Sequence, residues 1–313
     1  MAKKQLEIPP IRSLRQAAHA TTKRRSSGLP SVDRVLGGGV PVGRQLEIFG
    51  PESSGKTSFC LTAVAKAQQL GIQCAFCDAE CTTDLEFAVK AFGVDPDKLW
   101  YERPESGEIG IGWIENTVNN GAKLIVCDSV AAMVPTAELE GRIEQQHIGT
   151  QARLMAKAMR KLNKLCEKSG ATILWINQTR DKIGVMFGNP ETTPGGRALK
   201  FFAAIRLRAS KVKHGAGYGT RFYCVKNKTA IPHRKTTVPL LPEGGYDVSL
   251  DVLDCAVDLK VVKVAKGGYV YAGKKLGKQK KALEILDEDS KLCSSLLKDV
   301  RKAMKGEGDL SIE

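Results

Sequence analysis

The chain has no uninterrupted apolar stretch long enough to cross a bilayer, and its opening residues, Met1-Ala2-Lys3-Lys4-Gln5, carry no apolar signal core. Neither a membrane span nor secretion is expected, and a cytoplasmic location follows by default. Aromatic residues are few, at 6% of the chain, and no segment pairs basic charge with an exposed aromatic face, so a membrane surface is a weak candidate partner. Acidic side chains are also in deficit, 34 against 48 Lys and Arg, and the resulting charge of +14 points to a polyanion, with nucleic acid first. Paired cysteine spacings are nearly absent. Of nine cysteines only Cys74, Cys77 and Cys81 cluster, and two of these have the spacing of a zinc knuckle. No second ligand pair follows at finger or ribbon spacing, so a buried strand and its turn is the better reading. Elsewhere the cysteines sit in apolar runs such as Leu124-Ile125-Val126-Cys127 and read as reduced, buried thiols. No repeat appears at a solenoid period.

At 313 residues the chain is long enough for one sizeable core and a small accessory domain. Residues 1–28 form a basic arm with a single acid, Glu7, in which Pro9-Pro10 delays any helix and Ser26-Ser27-Gly28 marks a linker. A solvated tail and a segment that docks on another subunit or touches DNA both fit it. Across residues 29–246, short apolar runs alternate with helical patterns. Gln45 to Phe49, Cys74 to Cys77, Leu124 to Cys127 and Thr172 to Ile176 are β-rich and each stops at a polar residue or a glycine loop. That alternation predicts a mainly parallel sheet with crossover helices, an α/β class in which chemistry belongs at the strands' carboxyl ends. Those ends are Gly50, Asp78 to Glu80, Asp128 and Asn177-Gln178.

After the break at Pro239, Pro242, Gly244 and Gly245, residues 247–313 change texture. Helical segments at Val248 to Lys260 and Lys281 to Lys305 flank a lysine-rich stretch and predict a small separate domain. Lys260, Lys263, Lys266, Lys274, Lys275, Lys278, Lys280 and Lys281 run without an intervening carboxylate, interleaved with Tyr269 and Tyr271. Solvated lysines or a surface that gathers duplex DNA both account for this pattern.

Gly50-Pro51-Glu52-Ser53-Ser54-Gly55-Lys56-Thr57 fits the phosphate-loop pattern, with a strand-like run before it and a helical pattern from Ser58 to Leu70 after it. In such loops glycines let backbone N–H groups curl around a phosphate, the lysine neutralises the β and γ oxygens and the threonine ligates magnesium. Asp128, ending an apolar strand, supplies the second magnesium-shell oxygen. Glu80, just past a strand end, is placed to activate water, although an exposed loop carboxylate is the bland alternative.

Taken together, the phosphate loop, Asp78-Ala79-Glu80, Asp128-Ser129-Val130-Ala131-Ala132, Asn177-Gln178 and the run Lys182 to Thr193 resemble the RecA family of bacterial and phage homologous recombinases. The similarity is dense from about Leu29 to Pro232 and thinner after it. It implies a RecA-like ATPase core with a small α+β carboxyl-terminal domain. It also implies filaments of self on single-stranded DNA, capture of double-stranded DNA, strand exchange in recombination, repair and the SOS response, and ATP with Mg2+ as cofactors. Single-strand-binding and loader proteins are further implied partners.

By matching position, Glu80 is the base that activates water, Gln178 the γ-phosphate sensor, and Asp84 and Phe87 adenine contacts. Gly50 to Ser58 hold the nucleotide with Asp128. Lys226 and Lys228 reach the neighbouring subunit's phosphate. The segment Glu138 to Gly149 looks like the first DNA loop and Thr179 to about Lys200 like the second, with Ile148 and Ile183 wedging between bases. Phe187, Gly195, Gly196, Arg153, Arg160, Arg180 and Arg197 contribute further DNA contacts. Pro194, Arg197 and Arg142 depart from the pattern of bacterial members, as does the ending: Glu307, Asp309 and Glu313 make only a slight acidic tail. A helicase or translocase, and a coating or mediator protein that uses ATP for assembly alone, remain the rival readings.

Overall fold

The computed structural model describes residues 23–142, 149–181, 191–215 and 217–306. Among these the elements run β1 (Arg24–Arg25), α1 (Pro30–Leu36), β2 (Val40–Pro41), β3 (Gln45–Gly50), α2 (Lys56–Gln69), β4 (Cys74–Asp78), α3 (Leu85–Phe92), β5 (Leu99–Glu102), α4 (Gly107–Asn119) and β6 (Leu124–Asp128). There follow α5 (Thr136–Leu139), α6 (Thr150–Ser169), β7 (Thr172–Gln178), β8 (Arg180–Asp181), β9 (Glu191–Thr192), α7 (Gly196–Phe202), β10 (Ile205–His214), β11 (Gly217–Asn227) and β12 (Lys235–Pro239). The last part holds α8 (Val248–Asp258), β13 (Lys263–Ala265), β14 (Gly268–Tyr271), β15 (Lys274–Gly277), α9 (Gln279–Glu288) and α10 (Ser290–Gly306).

Eight strands form one sheet in the order β12-β11-β10-β3-β7-β6-β4-β5; those from β10 to β5 are mutually parallel, and β11 and β12 are antiparallel additions. The alternation of side chains along the strands explains why both faces must be covered. Leu46, Ile48, Phe76, Val126, Leu174 and Ile176 point into one core with Phe59 and Val64 of α2. Ala75, Cys77, Ile125, Cys127, Ile173 and Trp175 point into the other with Ile114 of α4 and Met155, Met159, Leu162 and Cys166 of α6. The α6 spacing buries one helical stripe and leaves Arg153 and Arg160 exposed on the opposite side.

Residues at the root of the basic arm behave differently from a linker. Arg24 is buried, and its guanidinium donates to the carbonyls of Leu36, Gly39 and Thr229, while Ser26 Oγ and Ser27 N–H donate to Asp33. A buried cation needs such acceptors, and three carbonyls in reach make the position structural. The rest of the arm, residues 1–22, lies outside the described residues.

The expected break at Gly244 and Gly245 is a turn packed on α3: a Cβ at Gly244 would lie 2.7 Å from the Phe87 ring, and one at Gly245 2.4 Å from the Ala91 carbonyl. Beyond it a third apolar cluster gathers Val252, Leu253, Tyr271, Leu276, Leu286, Leu296, Val300 and Met304. The lysine stretch folds as the antiparallel sheet β13-β14-β15. The segment expected as one helix from Lys281 to Lys305 is two, because Asp289 leaves helical geometry and its carboxylate accepts from Leu292 N–H, starting α10 afresh.

Asp251 of α8 ties this last part to the core by accepting from the backbone N–H and hydroxyl of Ser31 at the start of α1. Burial, reinforced by Asp33 and Asp254 and opposed by the Ser31 hydrogen bonds, pushes its carboxyl up to about 7 from 3.8. The folded chain therefore keeps a proton that the unfolded chain gives up, so stability falls as pH rises from about 4 to about 7 and is flat above. Asp251→Asn is expected to flatten that slope and to gain stability at pH 8, by no more than about 4 kcal/mol. Denaturant titrations at pH 5 and pH 8 read it; an unchanged slope would assign the pH dependence to other groups.

Candidate nucleotide site and nucleic-acid interface

The phosphate loop runs from the end of β3 into α2, and its shape depends on two glycines. Gly50 has φ 159°, and a Cβ there would lie 2.0 Å from the Ala209 carbonyl; Gly55 is left-handed at φ 87°, and its Cβ would lie 2.3 Å from Thr220 Oγ1 and 2.7 Å from the Tyr246 hydroxyl. Any side chain there would displace backbone or a buried hydroxyl, so the close fit requires glycine. The Tyr246 hydroxyl donates to the Gly55 carbonyl at 3.0 Å and shares a second hydrogen bond with the Thr220 hydroxyl at 3.2 Å. Pro51, Glu52 and Ser53 are exposed at the tip, whereas the Ser54 hydroxyl is buried with no partner among the described residues. Such an orphan donor suits an oxyanion. Ser58 follows in the first turn of α2, where its carbonyl accepts from Thr62.

Lys56 is buried, and its ammonium curls back onto the carbonyls of Gly50 at 3.1 Å and Pro51 at 2.6 Å. Burial lowers its pKa, and Asp128, Glu80 and Glu52 pull it back up. Thr57 donates to Asp128 Oδ2 at 2.6 Å, and burial pushes Asp128 up to about 6, with Glu80 and Asp78 adding to the shift and Thr57 and Lys56 opposing it. A half-buried hydroxyl and a buried carboxylate in contact are hard oxygen donors of the kind that suits magnesium, so the residues present fit that ion.

Glu80 stands beyond β4 in a turn organised by Asp78. The Asp78 carboxylate accepts from Thr82 N–H, Thr83 N–H at 3.1 Å and the Tyr101 hydroxyl at 2.7 Å, and Arg103 lies 3.5 Å away. Glu80 N–H donates to the Asp128 carbonyl. Its Oε1 then accepts from the Ser129 hydroxyl and from Gln178 Nε2 at 2.8 Å, so the ends of β4, β6 and β7 meet at one carboxylate.

The profile of the RecA N-terminal domain matches residues 3–247, most of the chain. Protein RecA of Mycoplasma mycoides subsp. mycoides SC (strain CCUG 32753 / NCTC 10114 / PG1) is 42% identical over 304 residues, covering 94% of this chain and 88% of that protein. Protein RecA of Staphylococcus aureus strain JH9 is 43% identical over 288 residues, covering 89% and 83%. The chain belongs to the RecA family. The RecA-like core expected from the sequence is thus the fold it has, with Lys56, Thr57, Glu80, Asp128 and Gln178 gathered at the carboxyl edge of its sheet.

Other positions expected from the RecA resemblance are spread more widely. Asp84 caps α3 by accepting from Phe87 N–H, and Phe87 is 46% exposed, edge-on to Phe92 at 5.7 Å. That ring also packs on the Gly244 turn. Lys226 and Lys228 lie away from this chain's own phosphate loop in their contacts: Lys226 Nζ donates to the Lys200 and Phe201 carbonyls and Lys228 Nζ to that of Phe201, at the end of α7. Burial, then Lys228 and Arg206, brings Lys226 down to about 8. Arg153, Arg160, Arg180 and Arg197 are exposed. Gly195 is buried, where a Cβ would meet Val130 at 2.8 Å, and one at Gly196 would meet Ala152 at the same distance, so close helix packing accounts for this pair as fully as phosphate contact does. Ile148, Ile183 and Phe187 lie outside the described residues.

Cys74 and Cys77 are strand residues buried in opposite cores and Cys81 is exposed in the following turn, which is the buried strand and turn expected of them; among the described residues no group of three or more His, Cys, Asp and Glu is placed to hold a metal. One expectation needs correction. Tyr271 is buried, with its hydroxyl on Asp299 at 2.8 Å, because β14 turns that residue into the third core; it is unavailable as a surface aromatic. The sequence reading also missed Ser129, Thr220, Tyr246, Tyr101 and Arg103. Of these only Ser129, adjacent to Asp128, carried a local signal. Among the described residues no helix is long and apolar enough to cross a membrane.

Proposed function

We propose that this protein is an ATP-dependent homologous recombinase that polymerises on single-stranded DNA, searches duplex for homology and exchanges strands. Membership of the RecA family carries the recombinase function, and RecA proteins are DNA-dependent ATPases that use ATP with Mg2+ and form filaments on DNA. The observation that carries the finer reading is the junction at Glu80: Gln178, bonded to that carboxylate, ends the strand whose next residues enter β8 at the base of the second loop. Nucleotide chemistry and strand contact thus share one strand end.

In this reading Gly50 to Ser58 cradle the triphosphate, Lys56 neutralises its outer oxygens and Gln178 reports whether the γ-phosphate is present. Magnesium, held by the oxygens of Thr57 and Asp128, supplies neutralisation of phosphate charge when bound. Glu80, oriented by Ser129 and Gln178, accepts the proton of the attacking water. Asp84 and Phe87 take the adenine. Lys226 and Lys228, presented on the α7 end, reach the phosphates of an adjoining copy, so that ATP binding becomes assembly energy. Arg153, Arg160, Arg180, Arg197 and the two loops grip backbone phosphates without reading sequence.

The test is joint-molecule formation from homologous and heterologous DNA with ATP. Homologous joints are expected and heterologous ones are not; ATP turnover without pairing would favour the helicase, and pairing without turnover the assembly protein.

The eight lysines from Lys260 to Lys281 are all exposed, with Lys281 also 3.5 Å from Glu284. As a duplex-gathering surface they act through phosphate charge. Reversing Lys274, Lys275 and Lys278 to glutamate is expected to weaken duplex capture roughly tenfold or more at moderate salt, and to lower the salt slope by about one per lost contact, with little change in single-strand affinity. Fluorescence anisotropy with both ligands reads this; equal losses would refute the assignment.

A further inference from the structure

The base of the second loop is a short antiparallel ladder in which Arg180 faces Thr192 and Asp181 faces Glu191. Its first leg comes directly from β7. The second leg is fastened separately. Arg208 of β10 donates from Nε and Nη2 to Glu191 Oε2 and Oε1 at 2.9 and 3.0 Å, and from Nη1 to Ser210 Oγ at 3.0 Å. Lys200 Nζ reaches Thr192 Oγ1 at 3.1 Å, and Asn177 Nδ2 donates to the Pro194 carbonyl at 3.1 Å.

A two-pronged guanidinium fixes angle as well as distance, which an ammonium cannot do. Strand β10 pairs in parallel with β3, Arg208 opposite Phe49, and the next carbonyl, that of Ala209, is the one that leaves no room for a Cβ at Gly50. One strand residue therefore grips the loop base while its neighbour backs the first residue of the phosphate loop. Contiguous packed elements of this kind are what couples two sites physically.

We propose that Arg208 is a positioning residue that couples occupancy of the phosphate loop to the set of the β8-β9 ladder, and so to the grip on single-stranded DNA. A shift of the loop at Gly50 presses on Ala209, and the rigid fork transfers the displacement to Glu191. With side-chain exposures of 37% for Arg208 and 16% for Glu191, the pair is screened as a source of stability. Its geometry remains fixed by two parallel bonds.

The inference rests on the ATP-gated strand binding proposed above, and the test separates the two. Affinity of the full chain for a fluorescent oligonucleotide is measured with a non-hydrolysable ATP analogue and with ADP, alongside nucleotide affinity. Wild type is expected to hold DNA much more tightly with the analogue. Arg208→Lys and, independently, Glu191→Gln are expected to shrink that ratio by roughly tenfold with nucleotide affinity unchanged. The exchanged pair, Arg208→Glu with Glu191→Arg, is expected to restore part of it. Variants that weaken DNA binding equally in both states, preserving the ratio, would overturn the role of Arg208 and leave the recombinase reading intact. A wild type indifferent to nucleotide would sink both.

Discussion

Glu80→Gln is expected to cut ATP turnover roughly 10²- to 10⁴-fold while ATP binding and the polymer on single-stranded DNA persist. The amide keeps the acceptor that Ser129 and Gln178 address on Oε1, so the meeting point of β4, β6 and β7 keeps its shape. What it loses is basicity at the other position, where water must give up its proton. Filaments should then outlive those of wild type, because hydrolysis no longer resets the nucleotide. Steady-state phosphate release and filament lifetime by electron microscopy measure the two halves separately. Parallel loss of turnover and assembly would mean that Glu80 holds the site together and does no proton chemistry.

Lys56→Ala is expected to reduce ATP turnover by roughly 10³-fold and homologous joint molecules to the heterologous background. The ammonium is the cation buried within the phosphate loop, and removing it leaves developing charge on the β and γ oxygens uncompensated. Folding should tolerate the change. The folded state already resists that charge, as its lowered pKa shows, so its loss relieves desolvation while the Gly50 and Pro51 carbonyls give up a donor. A thermal melt beside the pairing assay separates misfolding from chemistry. Undiminished pairing in the alanine variant would move the protein to the class that uses nucleotide for assembly alone.

Much of the nucleotide site was legible in the sequence because its signals are local. A glycine-bounded loop after an apolar run, and carboxylates that end such runs, declare themselves within a few residues, and parallel pairing then brings Gly50, Asp128 and Gln178 to one edge. Partners met only through tertiary packing were not legible. Thr220 and Tyr246 close over Gly55 from far along the chain, and nothing near them in sequence marks the role. Arg24 read as one more charge in a basic arm, since its carbonyl partners, Leu36 at the end of α1, Gly39 in the turn after it and Thr229 far along the chain, meet it only in the folded protein. Arg208 and Glu191 lie on opposite sides of α7 in the chain and meet only because β10 joins the sheet beside β3. The division of the last helical segment at Asp289 was missed for another reason: lysines and leucines keep a helical period across it, and a capping aspartate inside such a pattern is a weak signal.

The hydroxyl of Tyr246 has a practical corollary for anyone shortening this protein. The bend rich in proline and glycine just before it looks like the natural seam for excising the carboxyl-terminal part. Cutting there would strip away the hydroxyl that is bonded to the Gly55 carbonyl. A fragment that keeps the phosphate loop's packing must carry Tyr246 with it, and ends no earlier than Asp247, whose N–H is still bonded to the Pro239 carbonyl.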